Sequence, residues 1–574
     1  MNLFKTYLLE IKKKLFIHKN ELNINSKKDF DNIILESPPD KFDFDLSTNA
    51  AMIIAKKNNA NSRDIAIKIK EILLKESKNF SDISIAGPGF INLKLNARSW
   101  VVIINEIIKT NKKFGSSNNN KKFNIEFVSA NPTGPLHIGH CRGAIFGDVL
   151  SNLLKFNGNK VIREYYVNDY GNQIDNFVKS VYLRLREIKF KEEFPNQENL
   201  YPGSYIIDIA NQILLNNKKI DLSNFKANYK LLKKRSIQNS MSLIKSDLNK
   251  LGVEHNVFFY ENDLVNKNIV AKTVNFLKKK NFITEGYLDP PKGEINLNWK
   301  KVKRLIFKST SFGDDSDRAL QKNDGSWTYF ANDVAYHSTK VKKNFNFLIN
   351  VLGADHTGYI KRISSAVSAL SNNKVKLICK VCQLVKLYKN GKPYKMSKRL
   401  GEFVSVKDLL KEVNKDSVRF MMLNRGNDME LDFDFDKVLE RSKDNPVFYV
   451  QYSYARINSL FNSLNMKLNK KINLKLDEFI PNNYEYKLLR KINEWPRIVE
   501  LASNKYEPHR IPFYLYELAT IFHAYWSKGN EDQKYKFISD GKINNILSFK
   551  IFQLVAIVLQ NGMKILGVSL PKKM

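Results

Sequence analysis

The sequence predicts a multidomain α/β chain, with a small α/β module in front and an all-α domain behind, and three observations carry that reading. A tract at 114–122, FGSSNNNKK, is polar and rich in Gly, Ser and Asn without apolar periodicity, so it reads as a linker. The block 123–156 runs strand, Pro/Gly loop, helix. From Val447 onward the pattern turns almost wholly helical, with amphipathic runs at 512–524 and 546–559. The expected division is 1–114, a linker at 115–122, a central domain at 123–445 and a helical domain at 446–574.

Composition bounds the function. With 574 residues, 43% hydrophobic and 26% charged, the chain can bury several cores, which excludes a disordered tail, collagen or a miniprotein. No run of eighteen uninterrupted apolar residues occurs, and the start, MNLFKTYLLEIKKKLF, lacks a signal peptide's apolar run and cleavage site. A soluble cytoplasmic protein, away from membranes, is expected. Three cysteines cannot make a disulfide framework, and Cys379-x-x-Cys382 lacks a second pair, so no zinc or other metal site is expected. Lys and Arg total 94 against 58 Asp and Glu, a net charge of +36 that suits a polyanionic partner. Abundant Lys and Asn fit compositional drift equally well, and the excess is spread over the stretches 1–120, 121–445 and 446–574, so charge alone decides nothing.

In the front module, DIAIKIKEILL at 64–74 reads as a helix and 83–95 as strand–turn–strand broken by Gly87-Pro88-Gly89. In the central domain Phe123, Ile125 and Phe127 alternate as a strand would. Pro132, Gly134 and Pro135 break it, and Ile138, Arg142, Ile145, Val149 and Leu153 follow helical spacing. His137 and His140 fall at the helix entrance, three apart, beside free N–H groups and the positive end of the dipole, which is a place for phosphate. A helix cap or surface feature is the alternative. Gly139 between them lets a flat ring approach the backbone. Neither a GxGxxG fingerprint nor a GxxxxGK[ST] loop is present.

His-Ile-Gly-His at 137–140 resembles the first signature of class I aminoacyl-tRNA synthetases, and Lys395-Met396-Ser397-Lys398-Arg399 resembles the second. The latter comes after YKNGKPY, whose Asn390-Gly391 suits a type I′ hairpin turn. SANPTGPLHIGHCRGAIFGDVL, YYVNDYGNQ at 165–173, DNPVFYVQYSYARI at 444–457, AGPGFINLKLN at 86–96 and the end LGVSLPKKM narrow the resemblance to arginyl-tRNA synthetases of bacterial type, over nearly the whole chain.

That resemblance implies a Rossmann-like parallel-sheet catalytic domain with helical insertions, an appended front domain touching the tRNA elbow, and a helical domain reading the anticodon. It implies activation of L-arginine with ATP to arginyl-adenylate, then transfer to tRNA(Arg) by a monomer, with Mg²⁺ accompanying ATP and arginine activation depending on bound tRNA. His137, His140, Lys395 and Lys398 would be catalytic, and Gly139, Asp355, His356, Met396 and Ser397 would complete the ATP site. Glu126, Tyr329 and Asp333 would hold the guanidinium, and Ser129 and Asn131 the α-amino and carboxylate end. A guanidinium substrate independently calls for a carboxylate-lined pocket giving bidentate, charge-assisted hydrogen bonds.

On the residues alone alternatives stay open: Glu126 as a paired strand residue, Tyr329 as core, Asp333 as a helix cap. Tyr449, Tyr452, Tyr454 and Arg456 read as stackers for unpaired bases or equally as helix core. Asp432, Asp434 and Asp436 read as one solvated face, since Lys437 stands where a calcium loop needs Gly. A synthetase for another amino acid, a small-molecule adenylyltransferase and a non-catalytic RNA-binding relative are the rival readings.

Overall fold

A computed structural model describes residues 2–39, 41–217, 220–287, 302–394, 404–468, 470 and 473–574. The chain forms two compact units, one of Met1–Ser117, Arg441–Tyr506 and Arg510–Met574, the other of Asn118–Glu440 with Glu507–His509.

The second unit is built on strands β1 (Lys122–Glu126), β2 (Lys160–Val167), β3 (Val257–Tyr260), β4 (Phe347–Gly353) and β5 (Lys376–Cys382). They lie in the order β5-β4-β1-β2-β3, every neighbouring pair parallel. From β1 the chain winds outward through β2 to β3, then returns to β4 on the other side. The strand order therefore reverses between β1 and β4, where an open α/β sheet leaves a crevice at its carboxyl ends. Because β1 is central it is covered on both faces, so Asn124 is as buried as Phe123 and Ile125 and simple alternation fails there.

Helix α1 (Ile138–Phe156) comes after the loop that ends β1 and buries Ile145, Val149 and Leu153 completely, each contributing roughly 1.5–3 kcal/mol. Gly147 lets it press on that loop, since a Cβ there would sit 2.2 Å from Phe127 Cγ. Gly147→Ala should therefore cost about 1–3 kcal/mol of stability by overpacking, read as a lowered melting temperature. Helix α2 (Tyr329–Val341) buries Phe330, Ala331, Val334 and Ala335 in a core with Phe307 and Leu320. The Asn390-Gly391 turn forms as expected: both residues have positive φ, 53° and 68°, and Lys389 pairs with Lys392 across it.

In the first unit, the strands Phe80–Ala86 and Phe90–Leu95 pair antiparallel around Gly87 and Gly89, and the helix expected at 64–74 extends over Ser62–Glu76. Long helices run at Pro446–Ser463, Asn483–Lys505, Arg510–Glu531 and Ile546–Leu566. The last departs from the expected amphipathic pattern. The three preceding helices and Ala97–Thr110 pack around it, so nearly all its faces are covered. It is long and apolar enough to cross a membrane, but 89% of its most apolar window is buried inside this unit.

Candidate active site

The loop after β1 is strained. Val128 and Ser129 both adopt positive φ, 70° and 43°, and the Ser129 N–H donates back to the Phe127 carbonyl at 3.1 Å, closing a three-residue turn. For a β-branched residue this costs on the order of 1–3 kcal/mol, and the surroundings impose it. The Tyr166 N–H donates to Ser129 Oγ at 3.1 Å, and the Tyr165 hydroxyl to the Ala130 carbonyl at 2.8 Å. The turn ends β1 at Glu126, before Phe127, and places Ser129 and Asn131 beside the entrance of α1.

His137 is the N-cap of α1, and its ring lies 3.8 Å from that of His140, centroid to centroid. The Gly139 N–H donates to His137 Nδ1 at 3.1 Å, and the His137 N–H donates to His140 Nδ1 at 3.3 Å. A backbone N–H can only donate, so both Nδ1 atoms are acceptors and the proton of each neutral ring sits on Nε2. Burial lowers both pKa values, His140 to about 3 with help from His137. The pair thus forms two preset neutral donors where a helix end already favours anions.

These residues line a cleft of about 780 Å³. Ser129, Asn131, His137, Gly139 and His140 form one wall, and Asp355 and His356, just past β4, form the other with Gly353, Cys382 and Gln383. Asp355 and His356 are both exposed, and their side chains approach to 3.6 Å. Tyr329 is 74% exposed, which removes core packing as its role, and it lines a smaller pocket of about 280 Å³ that shares Asn131 and Asn168 with the cleft. Lys395, Met396, Ser397, Lys398 and Arg399 lie outside the described residues. Downstream of them the chain returns to the entrance of α1: the Val404 carbonyl accepts from the Ile138 N–H at 2.9 Å, and the Val406 N–H donates to the Leu136 carbonyl at 3.0 Å.

Glu126 and Asp333 are not among the residues lining the cleft, but Tyr166 is, and its hydroxyl is pushed up by burial and then by Glu261, Asp333 and Glu126 around it. Asp333 is no cap, because Thr328 caps α2 and Asp333 lies a full turn inside. Burial raises its carboxyl to about 7, with Glu126 and Glu261 adding to the effect and a 2.5 Å hydrogen bond from the Tyr359 hydroxyl opposing it. Glu126 is indeed a paired strand residue, its Oε2 2.5 Å from the ammonium of Lys340. Sequence reasoning missed Glu261, a buried acid just past β3 whose Oε1 accepts from Asn332 at 3.1 Å and whose pKa burial raises. Its one signal was an acid ending the apolar run VFFY. Three carboxylates thus cluster around one tyrosine, with Lys340 the cation that acts on Asp333.

Cys379 and Cys382 lie three apart on β5 and so face opposite sides of it at a separation of roughly 10 Å, too far for a disulfide. Burial pushes both thiols up to about 12.

In the first unit, Tyr454 is buried core and accepts from Gln560 at 2.8 Å, and Tyr449 packs on His523. Tyr452 and Arg456 instead line a pocket with Trp526 and Met574, the guanidinium carbon 4.2 Å above the Tyr452 ring.

The sheet order, the histidine pair at its switch point and the cleft across the crevice define a class I aminoacyl-tRNA synthetase. The family model for the class I (R) catalytic domain matches residues 103–462, well over half the chain, and models for the arginyl tRNA synthetase N-terminal domain and the DALR anticodon binding domain match 6–95 and 450–574. Arginine–tRNA ligases of Pelagibacter ubique and Rhizobium etli are 50% and 43% identical, each match covering 100% of both chains. A Campylobacter jejuni crystal structure, titled a putative arginyl-tRNA synthetase, is 30% identical over 84% of this chain and 100% of its own, with a TM-score of 0.72. The chain therefore belongs to the arginyl-tRNA synthetase family, the enzymes that charge tRNA(Arg) with arginine.

Proposed function

We propose that the cleft activates arginine with ATP. The observation that carries this reading is the close histidine pair, whose Nε2–H groups are fixed as donors at a helix N-terminus beside a nucleotide-sized cleft. When the arginine carboxylate attacks the α-phosphate, two anions meet and charge builds on phosphorus and on the departing pyrophosphate. His137 and His140 donate to those oxygens without needing to be charged, Lys395 and Lys398 neutralise the pyrophosphate, and ATP brings Mg²⁺ as part of the substrate. Catalysis is positioning and electrostatics, with no covalent intermediate on the protein. Gly139, Asp355, His356, Met396 and Ser397 complete the nucleotide site.

Glu126, Asp333 and Tyr329 receive the guanidinium, and Ser129 and Asn131 the α-amino and carboxylate end. What supports this is an acid cluster that, among the described residues, outnumbers the cation acting on Asp333, an arrangement costly without a cationic guest. The 2′-hydroxyl of the terminal adenosine of tRNA(Arg) then attacks the mixed anhydride, while the first module touches the tRNA elbow and the helical domain reads the anticodon.

Arginine pairs with ionised Asp333, whose carboxyl titrates at about 7 in the free protein. Lowering the pH from 8 to 6 should therefore raise the arginine KM about tenfold, measured by ATP–pyrophosphate exchange with ATP saturating. Stability without arginine has the opposite sign. An acid with a raised pKa binds its proton more tightly when folded, so its burial penalty is relieved as pH falls through 7. In the anticodon domain, Arg456→Ala should weaken binding of tRNA(Arg) by about 1–3 kcal/mol through loss of a stacked base site, read by filter binding, and leave the arginine KM unchanged.

A further inference from the structure

We propose that Lys340 is a positioning residue for arginine recognition, holding Glu126 so that Oε1, beside Ser129, is the oxygen left for the guanidinium; this rests on the assignment of Glu126 to the arginine pocket. Lys340 lies one residue before the end of α2, and its side chain is 0% exposed. A buried ammonium needs a reason, and its surroundings supply one. Nζ stands 2.5 Å from Glu126 Oε2 and 4.2 Å from the centroid of the Tyr336 ring, so one side meets a carboxylate and another the face of an aromatic.

The partners of the remaining groups show why Glu126 is the target. Glu164, fully buried on β2 and in register with Glu126, accepts from Asn124 Nδ2 at 2.7 Å and from the Tyr336 hydroxyl at 2.9 Å, so neutral donors satisfy it. The ammonium is left to Glu126, whose other oxygen accepts from Ser129 Oγ at 3.3 Å. Ser129 in turn lines the cleft and is held by the strained turn. Pairing with Lys340 on one oxygen and Ser129 on the other fixes the rotation of the Glu126 carboxylate. An uncharged side chain at 340 would take the cation away from the half-buried Glu126 and leave its carboxylate free to rotate about the Ser129 contact.

The test measures arginine and ATP KM values by pyrophosphate exchange, with tRNA(Arg) present, for the full-length enzyme and the variants Lys340→Met, Lys340→Arg, Glu126→Gln and the Lys340→Met/Glu126→Gln double. Lys340→Met is expected to raise the arginine KM roughly tenfold or more while the ATP KM stays within about twofold. Lys340→Arg is expected to restore most of the loss, and the double variant to match Glu126→Gln alone, because both act through one carboxylate. An unchanged arginine KM in Lys340→Met, equal losses for both substrates, or additive losses in the double variant would overturn the proposal. If Lys340→Met does not fold, Lys340→Gln, which keeps a donor without the charge, is read by the same criteria. Glu126→Gln separates the two levels: an unchanged arginine KM there refutes the pocket assignment itself.

Discussion

Replacing His140 with alanine lowers ATP–pyrophosphate exchange about a hundredfold, because one preset donor to the transition state is worth about 3 kcal/mol. The loss should fall on kcat more than on either KM, since the hydrogen bond gains strength only as charge develops at phosphorus. Burial holds the His140 pKa at about 3, so this ring is neutral across the working range and contributes no titration of its own to the wild-type rate between pH 6 and 8. Near-normal exchange in His140→Ala would defeat the assignment of the histidine pair.

Replacing Asp333 with asparagine keeps the shape of the side chain and removes its charge. Losing one partner of a desolvated ion pair costs about 3–5 kcal/mol, so kcat/KM for arginine should fall on the order of several hundredfold or more, with the ATP KM little changed. The acid limb of the arginine KM should vanish in the same variant, because the group that titrates at about 7 is gone. Persistence of that limb would move the titration to another acid, with Glu261 the first to examine.

What the sequence made legible was local or carried by motif. The histidine pair needed only a spacing of three and a helix start, and the Asn390-Gly391 turn only two residues tolerant of positive φ. What it hid was long-range. Lys340 meets Glu126 across 214 positions, and Tyr359 reaches Asp333 across 26, and no pattern in the chain announces either contact. Asn124 broke the alternation expected of β1 because a central parallel strand has no solvent face. The helix Ile546–Leu566 looked amphipathic until its neighbours enclosed the polar residues among its apolar ones, Lys550 and Gln553 included. Val128 gave no sign of its backbone strain, since nothing in its type predicts a left-handed turn.

The central claim is that a cationic side chain is gripped by the Glu126 and Asp333 carboxylates next to the histidine-lined cleft. Pyrophosphate exchange with the wild-type enzyme and tRNA(Arg), comparing arginine with lysine and with citrulline, the neutral analogue of arginine's shape, tests it most directly. Robust exchange with arginine and almost none with the other two is the predicted result; exchange with citrulline at a rate near that of arginine would contradict it.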